Sequence, residues 1–130
     1  MSDVEVHSPY ERVGGEAVVH ALVGRFYQLM DTLPEAAACR AIHPPSLEGS
    51  ARKLEEYLTY WLGGPSDYVA RNGHPRLRMR HFPAAIGPVE RDGWLLCFRQ
   101  ALAETVTDHT AAAELLPRVE ALAMHMQNRA

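Results

Sequence analysis

Apolar residues recur at intervals of three and four along four long stretches of the chain: Val18 to Leu33, Leu47 to Leu62, Val89 to Val106 and Ala111 to Met126. That period belongs to a helix that buries one face. Val19, Val23, Phe26, Met30 and Leu33 carry the first stripe, and Leu47, Ala51, Leu54, Leu58, Trp61 and Leu62 the second. Val89, Trp94, Leu95, Phe98, Ala101, Leu102 and Val106 carry the third; Leu115, Leu116, Val119, Leu122, Ala123 and Met126 carry the last. Nowhere does the chain alternate with a period of two between turn pairs, so the fold class is all-α. A single striped helix cannot hide its own apolar face, so the four must pack on one another.

The residues between the stripes say where each helix stops. Met1 to Ser8 read as a frayed polar lead, followed by one helical turn from Pro9 to Val13 that Gly14-Gly15 breaks. Pro34 ends the first long helix, and Glu35 to Ile42 form a short alanine-rich helix halted at His43-Pro44-Pro45. Ser46 or Ser50 is placed to cap the next helix, which Gly63-Gly64-Pro65 terminates. Pro88 suits the first turn of the third long helix. The last helix begins near Thr110, with Pro117 expected either to kink it or to push its start towards Leu116.

A chain of 130 residues, 47% hydrophobic and 22% charged, is one folded domain spanning residues 1–130. Its net charge of -3 gives no electrostatic case for nucleic acid or an acidic membrane. No apolar run approaches the ~20 residues of a membrane span, and the acidic start lacks the features of a signal peptide, so the expected location is the cytoplasm. Cys39 and Cys97 are far apart in apolar surroundings and read as small buried hydrophobes.

One segment departs from the stripes. From Ser66 to Phe82 the chain has no long apolar period, and a loop of that length in a small domain encloses something. Within it Leu77 and His81 stand four apart, on one face if helical, with Arg76, Arg78 and Arg80 beside them. A neutral imidazole ligates a transition metal or haem iron, and guanidinium groups suit an anion. Haem asks for both, having an iron at its centre and two propionates at its edge.

Tyr27 within Arg25-Phe26-Tyr27, then Gly63-Gly64-Pro65, the run Gly73-His74-Pro75-Arg76-Leu77-Arg78-Met79-Arg80-His81, and Arg91-Asp92-Gly93-Trp94 follow in an order and spacing that resemble a group II truncated haemoglobin. The resemblance extends from about Tyr10 to the last helix. It implies a truncated globin fold, two antiparallel helix pairs sandwiching haem b (iron protoporphyrin IX), with His81 on the iron and Leu77 accepting from its other ring nitrogen. It implies that Tyr27 and Trp94 donate hydrogen bonds to a distal diatomic ligand. His43 occupies a pocket position where the family often has tyrosine or phenylalanine; an imidazole there would donate to ligand or to Tyr27, its proton titrating near neutral pH. Ser50 stands where a small residue leaves the entry route open, with Leu54 and Tyr57 closing the distal wall. Lys53, Arg80 and Tyr68 are aligned with propionate contacts, and Phe26, Phe82 and Ile86 with the surroundings of the ring.

Dioxygen, carbon monoxide, nitric oxide or peroxide are the ligands this implies, with slow oxygen release, a reductase to restore ferrous iron, and self-association into a homodimer as further expectations. Peroxide reduction and nitric oxide oxidation stay open as enzyme activities. A different class is a haem-free helical interaction domain that docks an acidic partner through its arginine cluster. A third, a non-haem metal joining His74 and His81, lacks a carboxylate or thiolate at metal spacing.

Overall fold

The computed structural model describes residues 7–65, 69–70, 73, 81 and 84–130. Among these the regular elements are helices: α1 (Pro9–Val13), α2 (Gly15–Thr32), a 3-10 turn (Pro34–Ala36), α3 (Ala37–Ala41), α4 (Glu48–Trp61), α5 (Pro88–Thr105) and α6 (His109–Met126). Ser8 caps α1 by accepting from the Glu11 N–H at 3.2 Å, and Asp108 caps α6 by accepting from the Ala111 N–H at 2.9 Å. Pro88 holds the first position of α5, where Glu90 accepts from the Gly87 N–H at 2.7 Å.

Side-chain pairs fix the directions. Tyr27 meets Ser50 and His20 meets Glu55, so residue numbers rise on α2 as they fall on α4. Arg99 with Glu120, and Arg91 with Gln127, give the same antiparallel register for α5 and α6. α2 also packs along α5, which joins the two pairs. Phe26, Leu22, Met30, Phe98, Leu58 and Val119 are almost wholly buried along this junction. Each large apolar side chain so buried contributes about 1.5–3 kcal/mol, making the α2–α5 contact the centre of the fold.

Two glycines shape the packing. Gly63, at φ +85°, follows α4 and donates to Tyr60 O at 3.0 Å while Gly64 donates to Thr59 O at 2.8 Å, the paired bonds that seal a helix end through a left-handed residue. Gly93 lies where α5 crosses the segment before α3: a Cβ there would stand 3.2 Å from both Ala36 Cα and the Glu35 carbonyl. Only a bare backbone lets α5 come that close, and the next residue is Trp94.

Three expectations change. Ser50 lies inside α4, whose N-cap residue is Leu47 with no side-chain cap bond; Ser46, one residue earlier, accepts from the Glu48 N–H through its Oγ at 3.3 Å. Val89 is 64% exposed; it precedes Phe98 by nine residues, which at about 3.6 residues per turn sets it on the opposite face. Pro117 neither starts α6 nor stops it, for the helix runs unbroken from His109. Pro117 and Ala113 are both exposed, so the carbonyl that the proline leaves unpaired meets water.

Candidate functional site

A cavity of about 540 Å³ opens where the two helix pairs face each other, within the range of about 300–1,000 Å³ usual for cofactor sites. Tyr27 of α2 and Trp94 of α5 stand on its wall with His43, which follows α3. α4 contributes Ser50, Lys53, Leu54 and Tyr57, while His81, Ala84 and Ile86 lie before α5. Leu54 and Trp94 therefore line an opening instead of touching across a filled core.

The aromatic core sets the donors. Trp94 stacks on Phe98 at 5.3 Å and 11°, and the Phe26 ring meets it edge-on at 5.1 Å. Phe26 also meets Tyr27 at 4.8 Å. Phe26 itself is fully buried and stands one layer behind the cavity wall, holding both of the residues that reach it. Among the described residues the Trp94 indole N–H has no hydrogen-bond acceptor. The Tyr27 hydroxyl donates to Ser50 O at 3.4 Å, the outer edge of a useful bond. Burial pushes the Tyr27 pKa upward, with Cys39 adding to the shift, so the phenol keeps its proton.

His43 differs from its expected role. Its Nδ1 lies 2.8 Å from the Cys39 carbonyl. A carbonyl can only accept, so Nδ1 carries the proton and the neutral ring offers Nε2 as an acceptor. Burial lowers the His43 pKa below its ordinary 6.5; the Cys39 bond opposes that shift, while Arg40 and His81 add to it. At neutral pH His43 thus donates only through Nδ1, to Cys39, and its Nε2 can accept; the Tyr27 ring meets the His43 ring edge-on at 6.0 Å and 74°. Cys39 is buried on the same wall, its thiol pushed up to about 12 chiefly by burial, and is inert as a nucleophile.

His81 is an exposed residue of the cavity wall, near enough to His43 to affect its charge. Tyr68, Leu77, Arg80 and Phe82 lie outside the described residues, as do His74 and the rest of the arginine run. Several wall residues escaped the sequence reading. Arg91 stands three residues before Trp94 and so shares its helix face; its Nη1 donates to Gln127 Oε1 at 2.6 Å. Leu122, Ala123 and Met126 continue the α6 stripe into the cavity. Their signal was the stripe's extension past the residues needed to pack α5.

The donor set fits haem. The wall is largely aliphatic and aromatic, and it carries two imidazoles, His43 and His81, and the cations of Lys53 and Arg91, the kinds of group that an iron and two propionates require. Among the described residues no group of three or more His, Cys, Asp and Glu could hold a bare ion. Two antiparallel helix pairs around such a slot define a haem-binding globin.

Residues 8–128 match the family of bacterial-like globins, and the chain belongs to it. It is 36% identical to the group 2 truncated hemoglobin YjbI of Bacillus subtilis (strain 168) over 95% of this chain and 90% of that protein. The group II 2-on-2 hemoglobin of the plant pathogen Agrobacterium tumefaciens superposes with a TM-score of 0.95 at 56% identity, covering 99% of this chain and all of that one. A truncated oxygen-avid haemoglobin from Bacillus subtilis superposes with a TM-score of 0.84 at 36% identity, covering 94% of this chain and 100% of that one. Within the family it is a truncated haemoglobin of group II, an oxygen-binding haem globin. The haem-free interaction domain gives way to this assignment.

Proposed function

We propose that the chain holds haem b with His81 as axial ligand, binds dioxygen against Tyr27 and Trp94, and releases it slowly. The observation that carries this is the cavity itself, with an imidazole on its wall and, on the same enclosure, the buried Tyr27 hydroxyl and the partly buried Trp94 indole as donors. Bound haem would supply a ferrous iron that takes up dioxygen, carbon monoxide or nitric oxide. Trp94 donates from its indole N–H and Tyr27 from its hydroxyl, which gives up only a long bond to Ser50 when it turns to a ligand. Each such bond in a dry pocket contributes about 1 kcal/mol or more, so a ligand held by both leaves slowly. Ser50 keeps the entrance small-walled, and Lys53 meets a propionate at the rim.

The oxygen-avid relative from Bacillus subtilis supports slow release. Retention suits scavenging, sensing or redox turnover better than delivery. Among the described residues no helix is long and apolar enough to cross a membrane; with that we place the protein in the cytoplasm, served by a reductase and able to form a homodimer. A second reading, peroxide chemistry, is favoured by His43: its Nε2 lone pair is where the proton of hydrogen peroxide would go.

The test is His81→Ala titrated with haemin. A lost or displaced Soret band in a folded variant is the expected result, and a native spectrum, with the usual shift on carbon monoxide, refutes the assignment.

A further inference from the structure

Beyond α6 the chain turns back on the segment that carries His81. The Asn128 side-chain amide reaches that segment through three bonds: Nδ2 donates to the carbonyls of Ala84 at 3.0 Å and His81 at 3.3 Å, and Oδ1 accepts from the Ile86 N–H at 2.9 Å, with a longer bond from Arg129 Nη1 at 3.4 Å on the same oxygen. Its backbone N–H and that of Arg129 both donate to Ile86 O, at 2.9 and 3.0 Å. The His81 carbonyl also accepts from Ala84 N–H at 2.9 Å, closing a turn that Asn128 braces from outside. Next to it, Gln127 accepts from Arg91 at 2.6 Å, one helical turn before Trp94.

From this geometry we infer that residues 127–129 form a strap with Asn128 as its fastening, a positioning residue that ties the His81 backbone to the end of α6 and thereby sets how firmly His81 grips iron. The inference rests on the haem assignment of His81. An amide is suited to the task because it supplies two donors and an acceptor in one plane, matching two carbonyls and one N–H of the same turn. A helix needs none of this to end; α6 has already closed through Gln127 N–H to Met124 O. Through Gln127 and Arg91 the same strap ties the axial side of the cavity to the helix that carries Trp94.

The experiment compares Asn128→Ala, Asn128→Asp, Asp108→Ala and His81→Ala in the full chain. Readouts are the iron–histidine vibration of the ferrous protein, the rate of haemin loss to an acceptor globin, and hydrogen exchange at the Ile86 amide without haem. Asn128→Ala should lower and broaden the vibration, speed haemin loss by about fivefold, the worth of one net hydrogen bond, and speed Ile86 exchange. Asn128→Asp keeps an acceptor for Ile86 but loses both donors, so it should protect Ile86 and still shift the vibration. Asp108→Ala, which removes the α6 cap, should lower stability and leave the vibration in place. A native vibration and haemin loss in Asn128→Ala, a native vibration in Asn128→Asp, or an equal shift in Asp108→Ala overturns the strap. If His81→Ala keeps the native spectrum, the axial assignment fails and the strap with it; a changed spectrum there beside a silent Asn128→Ala sinks the strap alone.

Discussion

Replacing Trp94 by Phe removes one N–H and leaves an aromatic ring to stack on Phe98 and meet Phe26. In the ligand-free protein the substitution breaks no hydrogen bond among the described residues, so its effect falls on the liganded state. A partly buried donor of this kind contributes about 1–1.5 kcal/mol, which corresponds to about five- to tenfold in a rate. Oxygen release should therefore accelerate by about tenfold while association changes little, because the donor acts after the ligand has arrived. Tyr27→Phe forfeits in addition the 3.4 Å bond to Ser50, too long to offset much, and should accelerate release by a smaller factor. Both rings lean on Phe26, so the double variant is expected to fall short of the product of the two effects. Stopped-flow displacement of oxygen by carbon monoxide measures each rate. A native release rate in Trp94→Phe, with the fold intact by circular dichroism, refutes the reasoning.

The His43 pKa is lowered from 6.5, so the ring is neutral above that pH and gains its Nε2 proton only on the acid side of it. Oxygen release should be flat from about pH 7 to 8 and slow towards about pH 5; the same depressed pKa makes stability fall as pH drops through it, since the folded state resists the proton. His43→Phe should flatten the release profile, and equal acid slopes in both proteins would count against His43. Gly93→Val places branched carbons against Ala36 and Glu35 where a Cβ already stands at 3.2 Å. Overpacking of this kind costs about 1–3 kcal/mol, visible as a fall in Tm of about 5 °C or more, with faster oxygen release as Trp94 is displaced; unchanged Tm and release contradict the close-approach argument.

Much of the fold was legible because period and punctuation are local. Gly63-Gly64 ends α4 by bonds to the turn just before it, and Pro88 starts α5 by its own ring. Val89 misled because apolar character was counted without its angle around the helix, and Pro117 because the cost of an interior proline depends on whether water reaches the orphaned carbonyl. That Tyr27, Trp94 and His43 share one cavity wall was legible through resemblance. What that imidazole does was not, since the identity of its protonated nitrogen depends on the Cys39 carbonyl four residues back. Nor was Asn128, whose three partners lie over forty residues away in the chain.

The three polar groups on the cavity wall that we propose face the ligand differ in what they can do. An indole only donates, a phenol donates and accepts, and the neutral His43 ring at this site only accepts through Nε2. Near neutrality the Ser50 carbonyl therefore competes with the ligand for the one proton of Tyr27, while the proton of Trp94 has no rival acceptor among the described residues. Trp94 is thus the dependable donor, which is why its removal should exceed that of Tyr27. Protonating His43 turns an acceptor on the cavity wall into a donor, so acid is expected to tighten the grip on oxygen. A carrier that unloads into acidifying surroundings needs the opposite slope, so the proposed distal arrangement, if it gives the acid slope expected above, favours holding or consuming the ligand over delivering it.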